Sequence, residues 1–295
     1  MCYFAYTLNK PKFNFKGVFL NLNFLITNYN NPLLKNIHDT LKSNNESIKF
    51  ISEHISHKSL KDFILKNEIN IILHTDIIYD IDECQKLGSQ AIKQNTNTIN
   101  IISKICNELN IKLIYLSSHE VYGDYPILPL VENIISNPIN TLGESQKGSE
   151  AILTNNTKNY FILRLSWVFG LENCYIKQII SNAKTPLIFC SEKIVNPTPI
   201  NLIITIILTI SKTTKFGTYN CATKNSCSKL DLTKFIFNFI DFPKEVSPFP
   251  DSILSKFTKT AYNSSLDCSL LEKTFDITIP SYKTEVTTYI NSNFK

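Results

Sequence analysis

The chain has 295 residues, 43% apolar and 11% aromatic, a balance that sustains a folded core and argues against disorder. Lys and Arg exceed Asp and Glu by five, spread along the chain without a basic tract, which argues against nucleic acid or a membrane surface as partner. The apolar runs at 17–27 and 202–210 are too short to span a bilayer, and the start MCYFAYTLNKPKF lacks the pattern of a secretory leader. The eight cysteines form no CxxC pair and no Cys/His metal spacing, so a cytoplasmic protein with reduced, mostly buried thiols and no metal is expected.

In chain order, the run Val18 to Thr27 reads as a strand, NYNNP as a turn and Leu33 to Ser43 as a helix. A strand near Ser47 to Ser52, a helix from Lys58 to Asn67 and a strand from Asn70 to His74 follow. The last is continuously apolar, as a strand buried on both faces must be. A helix from Asn95 to Leu109 leads into a strand from Ile111 to Ser117. This alternation predicts an α/β fold with a parallel, right-handed, doubly wound sheet. After a loop-rich stretch the pattern predicts a helix at Leu142 to Thr154, a strand at Tyr160 to Trp167, helices at Ile176 to Ala183, Leu202 to Ser211 and Leu230 to Ile240, and a short strand at Gly217 to Cys221. The expected division is an extension at 1–20, a dinucleotide-binding (NAD(P)-binding Rossmann) domain at 21–165 and a smaller, mixed substrate-binding domain at 166–295, interlocked with the first.

In such a sheet the turn after the first strand cradles the phosphates of a dinucleotide and needs glycines for tightness and close backbone approach. Here it reads Ile26-Thr27-Asn28-Tyr29-Asn30-Asn31-Pro32-Leu33-Leu34. Against I-T-G-x-x-G-x-x-G, the three glycines become Asn28, Asn31 and Leu34. Asparagine tolerates a left-handed backbone, yet each puts a side chain where a pyrophosphate would approach. Leu34 is expected to push the helix away from the sheet. The chain has only 7 glycines and one arginine, Arg164, a bias toward AT-rich codons that erodes both without functional cause.

SSHEVYGD, Ser117 to Asp124, stands at the end of the fourth strand, where open α/β sheets bind ligands, and the Ser118 hydroxyl there is placed to meet a substrate carbonyl. Asp82 and Asn95 have the spacing of a VD…N segment. Arg164-Leu165-Ser166-Trp167-Val168, Asn196-Pro197-Thr198, Gly217-Thr218-Tyr219-Asn220 and Asn263-Ser264-Ser265-Leu266-Asp267 with Leu271-Glu272 follow in order. On these segments, from about Phe24 to Tyr289, the chain resembles the extended short-chain dehydrogenase/reductase superfamily, and within it the dTDP-4-dehydrorhamnose reductase family.

The resemblance implies NADP or NAD as cofactor, held by Thr27, the three replaced glycine positions and Asn95. It implies a nucleotide-linked sugar as ligand, lined by Trp167, Asn173, Asn196 and Thr198. It also implies a tyrosine that protonates a sugar ketone and a lysine four residues on that lowers the tyrosine's pKa, both on one face of a helix. The matching positions here are Leu142 and Gln146. Leucine has no proton to give, and glutamine is neutral. Lys147 points about 100° away on a helix. Tyr122 and Tyr125 lie on the preceding loop as substitute donors. His119 and Glu120 match an acid/base pair in the dehydratase relatives, or else end the strand with one side chain inward and one outward. Arg164 reads as a structural ion-pair partner. Three functions fit: a binding or regulatory protein, a pseudoenzyme that engages a protein partner or a second copy; an active NADPH-dependent reductase of a nucleotide-linked 4-keto-6-deoxy sugar; and a decaying gene product.

Overall fold

The computed structural model describes residues 22–27, 31–43, 47–51, 56–76, 78–125, 129–171, 174–181, 188–242, 245–249 and 258–294. The extension at 1–20 therefore lies outside the described residues, as do Asn28 and Asn173.

The first half alternates β1 (Asn23–Thr27), α1 (Pro32–Ser43), β2 (Ser47–Ile51), α2 (His57–Lys66), β3 (Ile71–Thr75), α3 (Ile81–Leu87), α4 (Ser89–Leu109), β4 (Lys112–Ser118), α5 (Thr141–Asn156) and β5 (Tyr160–Leu165). These strands form one six-stranded parallel sheet in the order Gly217–Cys221, β5, β4, β3, β1, β2. Successive side chains of a strand face opposite sides, and the two cores follow that alternation. Phe24 and Ile26, Ile71 and Leu73, Ile114 and Leu116, and Phe161 and Leu163 pack under Leu34, Ile37 and Leu41 of α1 and under the helix Ile200–Ser211. Leu25, Ile72, Leu113, Tyr115 and Ile162 pack under α2, α4 and α5 through Leu60, Ile64, Ile99, Ile102 and Leu153. The fold is the expected doubly wound α/β sandwich.

The chain reverses direction across the sheet between β1 and β3, and the crevice at their carboxyl ends is where such sheets bind ligands. Thr27, Thr75 and Ser118 end the three strands that line it. A third core, with Phe169, Ile176, Leu232, Ile236, Val286 and Ile290, joins the helices Tyr175–Ser181, Lys229–Phe239 and Tyr282–Phe294 beyond β5.

Several predicted bounds shift for identifiable reasons. The helix expected from Asn95 begins at Ser89, after a separate α3 that the polar text IDECQKL hid. Asp80 caps α3 by accepting from the amides of Asp82 and Glu83 at 3.0 and 2.9 Å. Gly88, at φ 55°, then breaks the chain between the two helices. β5 ends at Leu165, before Trp167. The helices Ser269–Phe275 and Tyr282–Phe294 had no counterpart in the periodicity reading. Leu34 is fully buried in the core beside Ile26 and Leu73. The seven described cysteines are buried and free, and among the described residues no helix is long and apolar enough to cross a membrane.

Candidate active site

β4 delivers Ser118 to the crevice, where its hydroxyl does two things. It accepts from the Glu120 amide at 3.2 Å, starting the single helical turn His119–Val121, and donates to Gln146 Oε1 at 2.6 Å. α5 is set against that turn. Asn140 caps it by accepting from the Gly143 amide at 2.9 Å, and a Cβ on Gly143 would lie only 2.3 Å from the Glu120 carbonyl oxygen. The spacing of four within α5 places Leu142 and Gln146 on one face of the helix, one turn apart, as a donor and its activator require.

Neither fills those roles. Leu142 is buried in a small apolar cluster with Ile78, Cys84 and Ala91. Gln146 is buried too, its side-chain oxygen held by Ser118, and its side chain lies near enough to Asp76 to act against the rise of that carboxyl's pKa. Lys147 is exposed, as its position on the helix dictated. Tyr122 is no substitute donor: it is fully buried, its hydroxyl donates to Asn220 Oδ1 at 2.8 Å, and the Arg164 guanidinium sits 4.7 Å from its ring centre. The Tyr125 hydroxyl donates to the Ile135 carbonyl at 2.5 Å.

Under the crevice runs a buried polar network that the sequence reading missed. Thr27 Oγ1 lies 2.5 Å from His74 Nδ1; His74 stacks on Tyr115 with ring centres 6.0 Å apart; Tyr115 donates to Asp76 Oδ1 at 2.7 Å. Burial pushes the Asp76 carboxyl up to about 7, against the Tyr115 and Gln146 hydrogen bonds and with the Glu150 charge adding to the rise. Burial lowers His74 to about 3, so its imidazole is neutral. Burial, then the Asp76 charge, raises the Tyr115 phenol. Asn95 is a brace here: it exchanges hydrogen bonds with the Ile78 backbone at 3.0 and 2.9 Å and donates to Ser145 Oγ at 2.8 Å.

At the helix end that would hold a dinucleotide pyrophosphate, Asn31 already engages two backbone amides. Pro32 has no N–H, the Leu33 amide donates to Asn31 Oδ1 at 2.9 Å, and the Lys35 amide donates to the Asn31 carbonyl at 2.9 Å. Asn31 is buried in that role. A pyrophosphate would need the donor its carboxamide holds, so this end does not offer the Leu33 amide to that group.

His119 and Glu120 do not split between two faces. Both are largely buried and pair at 3.3 Å, because the helical turn swings them to one side. Burial alone would lower His119 and raise Glu120; their mutual attraction reverses both shifts, helped on Glu120 by Asn140, whose amide donates to Oε2 at 2.6 Å. Arg164 is an ion-pair partner, bidentate to Glu150 at 3.1 and 2.6 Å with Ser117 also donating to Glu150. Asn196 and Thr198 lie inside the fold. Asn196 donates to the Thr223 and Asn225 carbonyls and accepts from the Leu266 amide, and Thr198 donates to the Asn196 carbonyl. Trp167 is half-buried against Tyr175, with the Lys229 ammonium 5.1 Å from its ring centre. Asn140 also donates to the Lys259 carbonyl and Lys193 to that of Thr260.

Residues 23–294 match the sequence model of a family described as RmlD substrate binding domain. The chain is similar to the dTDP-4-dehydrorhamnose reductase of Escherichia coli K12, 24% identical over 242 residues that cover 77% of this chain and 79% of the relative. Its fold matches the dTDP-4-dehydrorhamnose reductase of Bacillus anthracis solved with NADP, at a TM-score of 0.84 and 21% identity over 93% of this chain and all of the other. It also matches the Bordetella bronchiseptica enzyme WbmG solved with NAD and UDP, at a TM-score of 0.76 and 15% identity over 92% and 96% of the two chains.

Proposed function

This chain belongs to the RmlD substrate binding domain family, and from that membership we propose that it binds a nucleotide-linked sugar without reducing it. In this reading it is a cytoplasmic binding or regulatory protein, acting through a protein partner or a second copy of itself. Residues 21–165 are the remnant of a dinucleotide-binding half, and 166–295 supply most of the sugar-nucleotide contacts. One observation carries it. The Ser118 hydroxyl, which a reductase aims at the substrate ketone, is spent on Gln146 at 2.6 Å, while the proton-donor position is Leu142 inside an apolar cluster. A neutral amide cannot lower a neighbour's pKa by charge, and a leucine has no proton to transfer.

A ligand that binds only the folded state raises the melting temperature. The reading predicts that dTDP-sugars raise it in a saturable way, whereas NADPH and NADH leave it unchanged up to millimolar concentration. A shift with either dinucleotide at micromolar levels contradicts the loss of the cofactor site.

Asp76 supports a second reading, an active NADPH-dependent reductase of a nucleotide-linked 4-keto-6-deoxy sugar. A buried carboxyl pushed up to about 7, beside Gln146 and accepting from the Tyr115 hydroxyl, retains a proton near neutrality, in the neighbourhood where a donor is missing. NADP or NAD would then have to displace the Asn31 carboxamide from Leu33.

A further inference from the structure

Lys229 opens the helix Lys229–Phe239, and its ammonium faces two uncharged rings. Its Nζ is 5.1 Å from the ring centre of Trp167 and 5.4 Å from that of Tyr175, and the rings meet edge to face at 5.2 Å. Among the described residues no oxygen accepts a hydrogen bond from it and no carboxylate pairs with it. The Tyr175 hydroxyl is turned away, toward Thr233 Oγ1 at 2.8 Å and Cys190 Sγ at 3.1 Å.

The surroundings add positive charge. Lys193 donates to the Thr260 carbonyl at 3.0 Å, and its charge acts on Lys229; Lys229 in turn acts on His119, and Glu120 acts on Lys193. The near carboxylate, Glu120, has Oε1 on His119 at 3.3 Å and Oε2 on Asn140 at 2.6 Å. Asp124 also acts on Lys193, but it holds the Tyr262 amide at 2.8 Å. Burial lowers the pKa of both lysines. Lys229 is a partly desolvated cation over aromatic rings with no carboxylate paired to it among the described residues, and such a cation gains from an anion that enters beside it.

We propose that Lys229 and Lys193 form an anion subsite beside Trp167 that takes the diphosphate of the nucleotide-linked ligand. The subsite rests on the nucleotide-sugar reading for its ligand and on the two lysines for its charge. It needs neither the cofactor turn nor the Leu142 position, so it survives the loss of both. The bland alternative, a lysine stem that covers Trp167 while its head stays in water, predicts no dependence of anion binding on Lys229.

Isothermal titration of the full chain with dTDP, thymidine and inorganic pyrophosphate tests it, using the native protein, Lys229→Met, Lys229→Arg and Lys193→Met. The expected result is dTDP binding about tenfold or more tighter than thymidine, equivalent to 1.4 kcal/mol or more, and falling with salt. Lys229→Met then weakens dTDP and pyrophosphate alike by about tenfold, and Lys229→Arg, which keeps the charge, by less than about threefold. Should Lys229→Met fold poorly, Lys193→Met carries the same expectation from a lysine on a different segment. Equal dTDP affinity in native protein and folded lysine variants overturns the subsite and leaves the nucleotide-sugar reading standing. Pyrophosphate binding that is lost in Lys229→Met, with dTDP and dTDP-sugars no tighter than pyrophosphate, supports the subsite and sinks the nucleotide-sugar reading. Failure of the native protein to bind either dTDP or pyrophosphate overturns the subsite.

Discussion

At position 146 a neutral amide stands where the reductase chemistry calls for a cation, and the residue that answers it is Asp76, whose buried carboxyl is raised to about 7. A raised carboxyl pKa means that, between the unfolded value near 3.8 and about 7, the folded protein holds a proton the unfolded chain has released. Stability from this group is therefore complete below pH ~4 and is lost as pH rises through ~7, by about 4 kcal/mol in all. His74, lowered from 6.5 to about 3, contributes in the opposite sense, since there the unfolded chain binds the extra proton. The two cancel over much of pH 4–6.5, so the native profile conceals both. Asp76→Asn keeps an acceptor for the Tyr115 hydroxyl and removes one titration. Relative to native protein, the variant is expected to gain about 1.4 kcal/mol per pH unit between pH ~4 and ~7 in urea unfolding. A difference that stays constant across that range would show that Asp76 is ionised in the fold. None of this was legible from the text IILHTD, which reads as a strand end: the contacts of His74 with Thr27 and of Asp76 with Tyr115 are made across strands by residues 47 and 39 positions apart in sequence. Leu142 and Gln146 were legible, because a helical spacing of four is a local rule.

α1 shows how an element keeps its form while giving up a ligand. The Asn31 carboxamide takes the Leu33 amide, the contact a phosphate would make, and so stabilises the helix end by itself. Asn31→Gly is expected to cost only a few tenths of a kcal/mol, since glycine is also a fair cap. It should tighten NADPH binding by about tenfold, the worth of one charge-assisted hydrogen bond of roughly 1.5 kcal/mol, read by nucleotide fluorescence. Unchanged affinity would locate the obstacle elsewhere in the turn. Most of the elements that build this crevice could be read in advance: β1, β3, β4 and β5 are apolar runs buried on both faces, and α1, α2 and α5 lie where their patterns put them. The helices at 269–275 and 282–294 could not, because their buried positions, Leu271 and Phe275, and Tyr282, Val286 and Ile290, are too few against polar text to mark a face. The short paired strands near 168–169, 194–195 and 227–228 are likewise too brief to show alternation.

Across the whole molecule the two halves are built into one another. The strand Gly217–Cys221 from the second half completes the sheet of the first, and Asn196 ties the segments at 223, 225 and 266 together. Arg164 and Glu150 lock β5 to α5 through a buried bidentate pair. Such a frame stands whether or not chemistry takes place in it. Retained binding without turnover is the central claim. The most direct measurement is to mix the purified native protein with NADPH and a dTDP-4-keto-6-deoxy sugar and follow NADPH absorbance, with binding of the same sugar nucleotide recorded by calorimetry. The account predicts saturable binding of the sugar nucleotide and no oxidation above the rate without protein. Steady NADPH oxidation that requires the keto sugar and scales with protein concentration would contradict it and establish the reductase.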